Sequence, residues 1–538
     1  MNYKKIEEIL LDMVNIKSDT GTKLEKDIEK YIYKYISTFE YFKNNKNHYG
    51  RFDVNDEFER KVIWALVKGI GEETIVLLHH HDVVDSLDYG KFKKYAYSPK
   101  ELKKQYKTLE FSQEIKEDLN SNKWYFGRGT ADMKAGAAIQ LEILKHYSEK
   151  INFNGNILLL SVPDEENLSI GMRKSIGLLN KLKDKFNLKY ELLINSEPHT
   201  RKEKEVGTIY DGSVGKIMPI VYVKGFKSHI GEIFSGFNPL LILSKIAINI
   251  ETNMDFSDSD LGEVSPPPTW IYLRDFKKNY DVSVPEAAGG YFSILPLKQT
   301  PKEILNKIKH ICEITFKESI NILNNNYKIY SKDNAILSWN PKVKFFNEIY
   351  KEAKVNGKEE FEKEYKELIK KLKEDIKKGK INIPNSNFIL IKKVLEYTRS
   401  NDPIVVIGIS PPYYPPVSNE NLDVNKKISN IKEIINKKSK EFGESYDLKR
   451  YFMGISDLSY TSLIKGEEVV PYIEENTPIW NHIYEIDFEN LKQLRIPVIN
   501  IGPWGKDLHK MTERVYMTDV VNNTPKLIME VVDKVLSF

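Results

Sequence analysis

Ile6, Ile9, Leu10, Met13 and Val14 fall roughly on one face at helical spacing, so the chain opens with an amphipathic helix. A second follows at KLEKDIEKYIYKYISTF, where Leu24, Ile28, Ile32 and Ile36 recur every four residues. The pattern then shifts. TIVLLHHH is a short, continuous apolar run, which suits a strand in a buried sheet position. Similar runs stand at GNILLLSVP (155–163) and YELLINSEP (190–198), separated by the helical stretches MKAGAAIQLEILKHYSEK and IGMRKSIGLLNKLKDKF. Strands alternating with helices in this order predict an α/β fold with a mostly parallel sheet.

Beyond residue 212 the texture changes. KIMPIVYVKGFKSHIG reads as an edge-like strand, NPLLILSKIAINIET as an amphipathic helix, and GGYFSILPLKQTPKEILNKIKHICEITFKESINIL as a strand passing into a long helix begun near Pro301. A heavily charged helical excursion near 325–395 reads as solvated. DPIVVIGISPPYYPP returns to an apolar strand, LRIPVINIGPWGKDLHKMTERV offers a short strand opening onto a glycine-bearing loop, and TPKLIMEVVDKVLSF closes as a helix. The last third thus resembles the first. The organisation expected is a larger domain in two parts, 1–212 and 413–538, with a smaller α/β domain, 213–412, inserted between them.

Composition narrows the classes. A chain of 538 residues is too long for one ordinary core, and its formal net charge of +4 is too small for a nucleic-acid binder. The lysines of the middle segment are interleaved with glutamates, which favours a solvated helix over a basic track. A single cysteine, Cys312, excludes an internal disulfide and fits a reducing compartment. No apolar stretch approaches the ~20 residues of a membrane span, and the opening MNYKKIEEILLDMVNIKSD lacks the features of a secretion signal. A cytoplasmic protein binding neither membrane nor nucleic acid is expected.

The candidate chemistry gathers where strands end. Alternation in the HHHD run puts His80 and Asp82 on one face, with His79 and His81 on the other. A metal-bound imidazole commonly gives its second nitrogen to a carboxylate, and Asp82 stands at the spacing to supply one. FGRGTADMKAG places Asp132 between a glycine-rich loop and a helix. SVPDEENLSIG ends a strand with Asp164, Glu165 and Glu166, and INSEPHT repeats the arrangement with Glu197. Like charges massed at the carboxyl edge of an apolar sheet are costly without cations or water. GKDLHKMTE adds a late His509. Two imidazoles, His80 and His509, with three carboxylates, Asp132, Glu166 and Glu197, are too acidic for a structural zinc site. They suit two divalent ions sharing a carboxylate, about 3.5–4 Å apart. Glu165 is then free to act as a base. Zinc is the first choice, and manganese or cobalt fits the same donors.

The ordered set HHD, GRGTADMKAG, PDEEN, SEP, GFKSH and GPWGKDLHKMTE resembles the dinuclear-metal peptidase family of aminoacylases, glutamate carboxypeptidases and dipeptidases. PPYYP and YFMGISDLSY look like its arginine-utilisation-protein branch. The resemblance implies a bridging Asp132, one ion on His80, Asp132 and Glu197, and a second on Asp132, Glu166 and His509. It makes Asp82 the support of His80 and Glu165 the general base. It also makes the inserted domain a lid and homodimer contact, with His229 reaching the partner's active site and Asn238 helping to hold substrate. One departure matters. Where many members carry Asp-x-Arg on a lid strand, this chain has Pro296 and Lys298, which keeps positive charge but loses the bidentate fork. The implied activity is hydrolysis of an amide bond in a small peptide or N-acyl amino acid. The alternatives are a strict dipeptidase or aminopeptidase, or a non-catalytic ligand-binding homologue.

Overall fold

The computed structural model describes residues 3–150, 152–332 and 336–537. They divide into two units.

The first unit comprises residues 1–213, 417–464 and 487–538. Its main sheet has eight strands, with Ile70–His80 paired between Asn154–Val162 and Lys189–Asn195. These three run parallel, and Val498–Asn500 extends them in the same sense. Ile70–His80 is buried from Ile75 to its end, as its unbroken apolar run predicts. The sheet is mixed, with its parallel strands at the centre and antiparallel strands beside them. Lys61–Lys68 runs antiparallel to Asn154–Val162, and Tyr49–Asp53 runs antiparallel to Lys61–Lys68. The cause is a connection of one residue. Only Gly69 separates Lys61–Lys68 from Ile70–His80, and a parallel return needs a crossover of a dozen residues or more. Gly69 crosses the start of Asn154–Val162 so closely that a Cβ there would meet the Phe153 carbonyl oxygen at 2.2 Å.

Helices Tyr3–Asn15 and Glu25–Ser37 bury the faces the sequence marks, Ile6, Ile9, Leu10, Met13 and Val14 on one and Ile28, Ile32 and Ile36 on the other. Both faces join the core around helix Ala135–Ser148, whose first ten residues are all buried.

The second unit comprises residues 214–416 and 465–486. Its five-stranded sheet runs Thr269–Asp275, Ala287–Ser293, Lys216–Lys224, Ile404–Tyr414, Val343–Phe345. Lys216–Lys224, expected at an edge, is the middle strand, with antiparallel partners on both sides. Seven of its nine residues are buried, which is what its apolar run KIMPIVYVK demands. Helix Pro301–Ser331 starts at a capping box formed by Thr300 and Glu303. The charged excursion is solvated on one side only. Helix Phe346–Lys377 buries Phe361, Tyr365, Ile369 and Leu372 and packs on Ile383–Glu396. Residues 465–486, read from sequence as part of the larger domain, group with this unit because helix Gly466–Asn476 buries Val469 and Ile473 and contacts Pro301–Ser331 and Phe346–Lys377.

Candidate metal centre

Four parallel strand ends assemble the site. His80 closes the strand Ile70–His80. Asn154–Val162 beside it runs on into Asp164, Glu165 and Glu166, while Lys189–Asn195 on the other side leads to Glu197. Val498–Asn500, next in the sheet, leads to the loop bearing His509. Asp132 arrives from the turn before helix Ala135–Ser148. Parallel neighbours present their carboxyl ends at one edge, so segments distant in sequence converge there.

Asp132 stands between the two imidazoles. Its Oδ1 lies 3.1 Å from Nε2 of His80, and its Oδ2 lies 3.2 Å from Nε2 of His509. His80 Nε2 is also 3.4 Å from Glu197 Oε1 and 4.0 Å from Glu165 Oε2. His509 Nε2 is 3.1 Å from Glu166 Oε2. Two triads, His80–Glu165–Glu197 and His80–Asp132–Glu166, bring donor atoms within 4.8 Å of one another. All six residues expected to act here therefore meet. Glu165 is itself within reach of a cation, alongside its expected part as base.

Electrostatics shows an excess of buried acid. Burial, reinforced by Asp132, pushes Glu197 up to about 7. Burial also lifts Glu165 well above the carboxylate range, with His80 opposing and Glu197, Asp457 and Glu166 adding to the rise. Glu166 is raised by burial and by Asp132. Asp132 goes the other way: burial disfavours its charge, but hydrogen bonds from His509 and His80 hold it below its ordinary value. Those same contacts with Asp132 and Glu166 lift His509 to about 11. Glu166 Oε1 is buried with no hydrogen-bond partner among the described residues. A basin of opposed carboxylates, with an unpartnered oxygen on Glu166 and imidazoles beside it, fits oxygen- and nitrogen-ligated divalent cations.

The three adjacent histidines have separate tasks. His79 Nδ1 pairs with Gln140 Oε1 at 2.9 Å, and His81 Nδ1 with Ser161 Oγ at 2.9 Å, both on the face away from the centre. His80 Nδ1 contacts the backbone oxygen of Asp82 at 3.0 Å and its Oδ1 only at 3.5 Å. The Asp82 carboxylate has another load: its two oxygens accept the N–H groups of Glu165 and Glu166, each at 3.1 Å. The support expected for His80 is thus delivered chiefly by main chain, and the side chain fixes the acidic loop.

Five contributors, Glu513, Arg128, Asp457, Arg60 and Glu25, were not singled out from the sequence. Glu513 Oε1 accepts from the N–H groups of Ala131 (3.1 Å) and Asp132 (3.3 Å), while its Oε2 pairs with Arg128 at 2.8 Å. Asp457 is buried, pushed up to about 8 by burial and, further, by Asp82 and Glu197. Arg60 and Glu25 belong to the acidic loop's underside. Arg128, Asp457 and Glu513 lie in stretches whose motifs were visible, GRGTADMKAG, YFMGISDLSY and GPWGKDLHKMTE, whereas Arg60 and Glu25 lie in none.

Two glycines set the close approaches. A Cβ on Gly502 would sit 1.9 Å from the Glu197 carbonyl oxygen, and one on Gly136 would sit 2.3 Å from that of Ser196. The main chain leading to His509 and the helix following Asp132 therefore both rest directly on the segment carrying Glu197.

His229, Asn238 and Lys298 lie in the second unit. His229 is exposed and its Nδ1 accepts from Gly231 N–H at 3.1 Å. Asn238 caps helix Pro239–Ile250, with Oδ1 accepting from Leu240 N–H at 3.0 Å. Lys298 Nζ lies 3.4 Å from Asp260 Oδ1.

A paired cation site at the carboxyl edge of an α/β sheet, with a spare carboxylate beside it, defines a dinuclear metal-dependent hydrolase. The model of Peptidase family M20/M25/M40 matches residues 99–529, and the chain belongs to that family. It acts as a metal-dependent hydrolase on amide bonds of peptides or acyl amino acids. The chain is 31% identical over 528 residues to the uncharacterized protein YqjN of Bacillus subtilis (strain 168), covering 96% of this chain and 94% of that one. It is 30% identical to Protein RocB of the same organism, over 98% and 94% of the two chains, in keeping with the branch resemblance read from sequence. Among solved structures, a metallo-carboxypeptidase, Sso-CP2, of Sulfolobus solfataricus superposes with a TM-score of 0.54 at 12% identity, over 99% of both chains. A tripeptidase of Staphylococcus aureus superposes with a TM-score of 0.53 at 13% identity, over 100% and 99% of the chains. At such identities these two likenesses establish the fold.

Proposed function

We propose that this chain hydrolyses the amide bond of a small peptide or N-acyl amino acid, with Glu165 as general base. His80, Asp132 and Glu197 would hold one ion, and Asp132, Glu166 and His509 the other. The observation carrying this reading is the Asp132 carboxylate, each of whose oxygens faces a different imidazole. A divalent pair there would lower the pKa of water and polarise a carbonyl oxygen. Glu165, its side chain only 11% exposed and its affinity for protons raised, takes the proton from the attacking water and returns it to the leaving nitrogen. Asp82 keeps that carboxylate in place through the Glu165 N–H. Zinc suits the mixed imidazole and carboxylate donors, with manganese or cobalt the alternatives. The relatives include a desuccinylase, a tripeptidase and dipeptidases, so both acyl amino acids and short peptides belong in the substrate screen.

The second unit serves as lid and homodimer contact in this reading, with His229 acting in the partner's site as oxyanion donor. Asn238 and Lys298 are its substrate-holding groups. Support for pairing is an apolar surface on neighbouring elements: Ile248 on helix Pro239–Ile250 and Ile271 and Leu273 on the sheet's edge strand are all exposed. A cytoplasmic location goes with the single buried Cys312. The test is a mass-detected screen of short peptides and acylated amino acids using metal-loaded protein, with Glu165→Gln as blank. Turnover equal in the two proteins rejects Glu165 as base.

A further inference from the structure

Three consecutive backbone N–H groups in the acidic loop end on buried carboxylates. Asp164 N–H donates to Glu25 Oε2 at 3.0 Å, and those of Glu165 and Glu166 donate to Asp82 Oδ1 and Oδ2 at 3.1 Å each. Acid groups so close together repel unless a cation stands among them, and one does. Arg60 Nη1 donates to Glu25 Oε1 at 2.7 Å and to Asp164 Oδ1 at 2.6 Å, while its Nε pairs with Asp56. Arg60 and Asp56 are each only 4% exposed, Asp164 1% and Glu25 0%. Glu25 opens helix Glu25–Ser37, and Arg60 immediately precedes strand Lys61–Lys68, so two elements remote from the strand-edge donors grip the loop from beneath.

The loop needs such a grip. Asp164 has φ +70°, a region unfavourable for a residue with a Cβ and kept only where surroundings over-determine it. Its Oδ2 accepts from Ile170 N–H at 3.2 Å and its carbonyl from Ser169 N–H at 2.7 Å. The guanidinium completes the set by joining the Asp164 side chain to Glu25, the residue that accepts the Asp164 N–H.

We propose that Arg60 is a positioning residue for the metal centre: by locking Glu25 to Asp164 it fixes the main chain on which Glu165 and Glu166 stand. Arg60 bonds none of the donor atoms, and Glu25, Asp56 and Arg60 all precede the stretch matched by the family model. The role needs a planar fork reaching three carboxylates at once, which an ammonium group does not supply. The inference rests on the reading that Glu166 holds an ion and Glu165 serves as base.

The test uses the full chain stripped of metal, with Arg60→Met and Arg60→Lys. Hydrogen exchange of the segment 163–167 is measured in the metal-free proteins, and affinity for zinc and cobalt by calorimetry. In folded Arg60→Met, exchange there is expected to rise at least tenfold, while the strand Ile70–His80 exchanges as in wild type. Affinity for one of the two ions falls about 10–100-fold, the usual effect of losing an outer-shell support. Arg60→Lys recovers a minor part of both. Wild-type exchange and wild-type affinity for both ions in folded Arg60→Met overturn the proposal. Should that variant fail to fold, Asp56→Asn, which loosens only the far side of the guanidinium, carries the comparison, with smaller changes in the same direction expected and none overturning it. Both readouts are independent of turnover, so a Glu165→Gln protein that remains active removes the proposed base while leaving the positioning role of Arg60 to stand or fall on exchange and affinity alone.

Discussion

His509 Nε2 lies 3.2 Å from Oδ2 of Asp132, across 377 residues of sequence. That contact brings the last part of the chain to the same carboxylate that faces His80, and it makes Asp132 common to both halves of the centre.

Asp132→Ala is therefore expected to lose both ions, whereas His509→Ala loses one. Metal analysis after dialysis distinguishes the cases: near-zero content for the first, about one equivalent for the second. Equal stoichiometry in the two variants contradicts a shared carboxylate.

Glu165→Gln keeps the shape of the side chain and removes its basicity. Turnover should drop by about 10²–10⁴-fold, the range of a general base, while bound metal remains at two equivalents. Loss of metal in step with activity identifies Glu165 as a ligand instead, a part its 4.0 Å distance from His80 also permits.

Stability of the metal-free protein should fall as pH rises. Burial lifts Glu197 to about 7 and Asp457 to about 8, and the contacts with Asp132 and Glu166 lift His509 to about 11. In each case the folded form binds the proton more tightly than the unfolded chain does. The carboxyl contributions are full below the ordinary carboxylate range and fade as pH climbs through 7 and 8. That of His509 is full below its ordinary 6.5 and fades towards about 11. Melting of chelator-treated protein between about pH 5 and pH 8 should show a decreasing Tm. Saturating zinc, which takes up the ionised carboxylates and neutral imidazoles, should reverse that slope. A Tm of the stripped protein that increases across this range contradicts the assignment.

Glu513→Gln keeps one acceptor for the Ala131 and Asp132 N–H groups but weakens the pairing with Arg128. A loss of about 1–3 kcal/mol in unfolding free energy is expected, since the buried Arg128 guanidinium loses one of its two carboxylate partners and keeps only Asp88, at 2.7 Å. Denaturant titration of the metal-free protein measures it.

Ile271→Lys places a charge on the exposed edge strand of the second unit. If that edge carries the homodimer contact, light scattering should show a shift to monomer with the metal content unchanged. A dimer that persists locates the contact elsewhere.

Much of this was legible in the sequence because strand ends and acidic runs coincide. Apolar runs stop at HHHD, PDEEN and NSEP, and those stops are the parallel strand ends that place His80, Glu165, Glu166 and Glu197. The edge expected for Lys216–Lys224 was misplaced because burial on both faces marks a middle strand, and its terminal lysines disguise that. The antiparallel Lys61–Lys68 was hidden in a one-residue connection at Gly69. Arg60 and Glu25 were unreadable for a different reason: lone charged residues look like surface until the fold buries them together.

The glycines at 136 and 502 carry a consequence for ion choice. Because main chain abuts main chain on either side of Glu197, that wall of the basin has no slack to breathe. A guest of larger or smaller radius would be accommodated by swivelling the acidic side chains, so exchanging one divalent species for another would leave the scaffold spacing as it was.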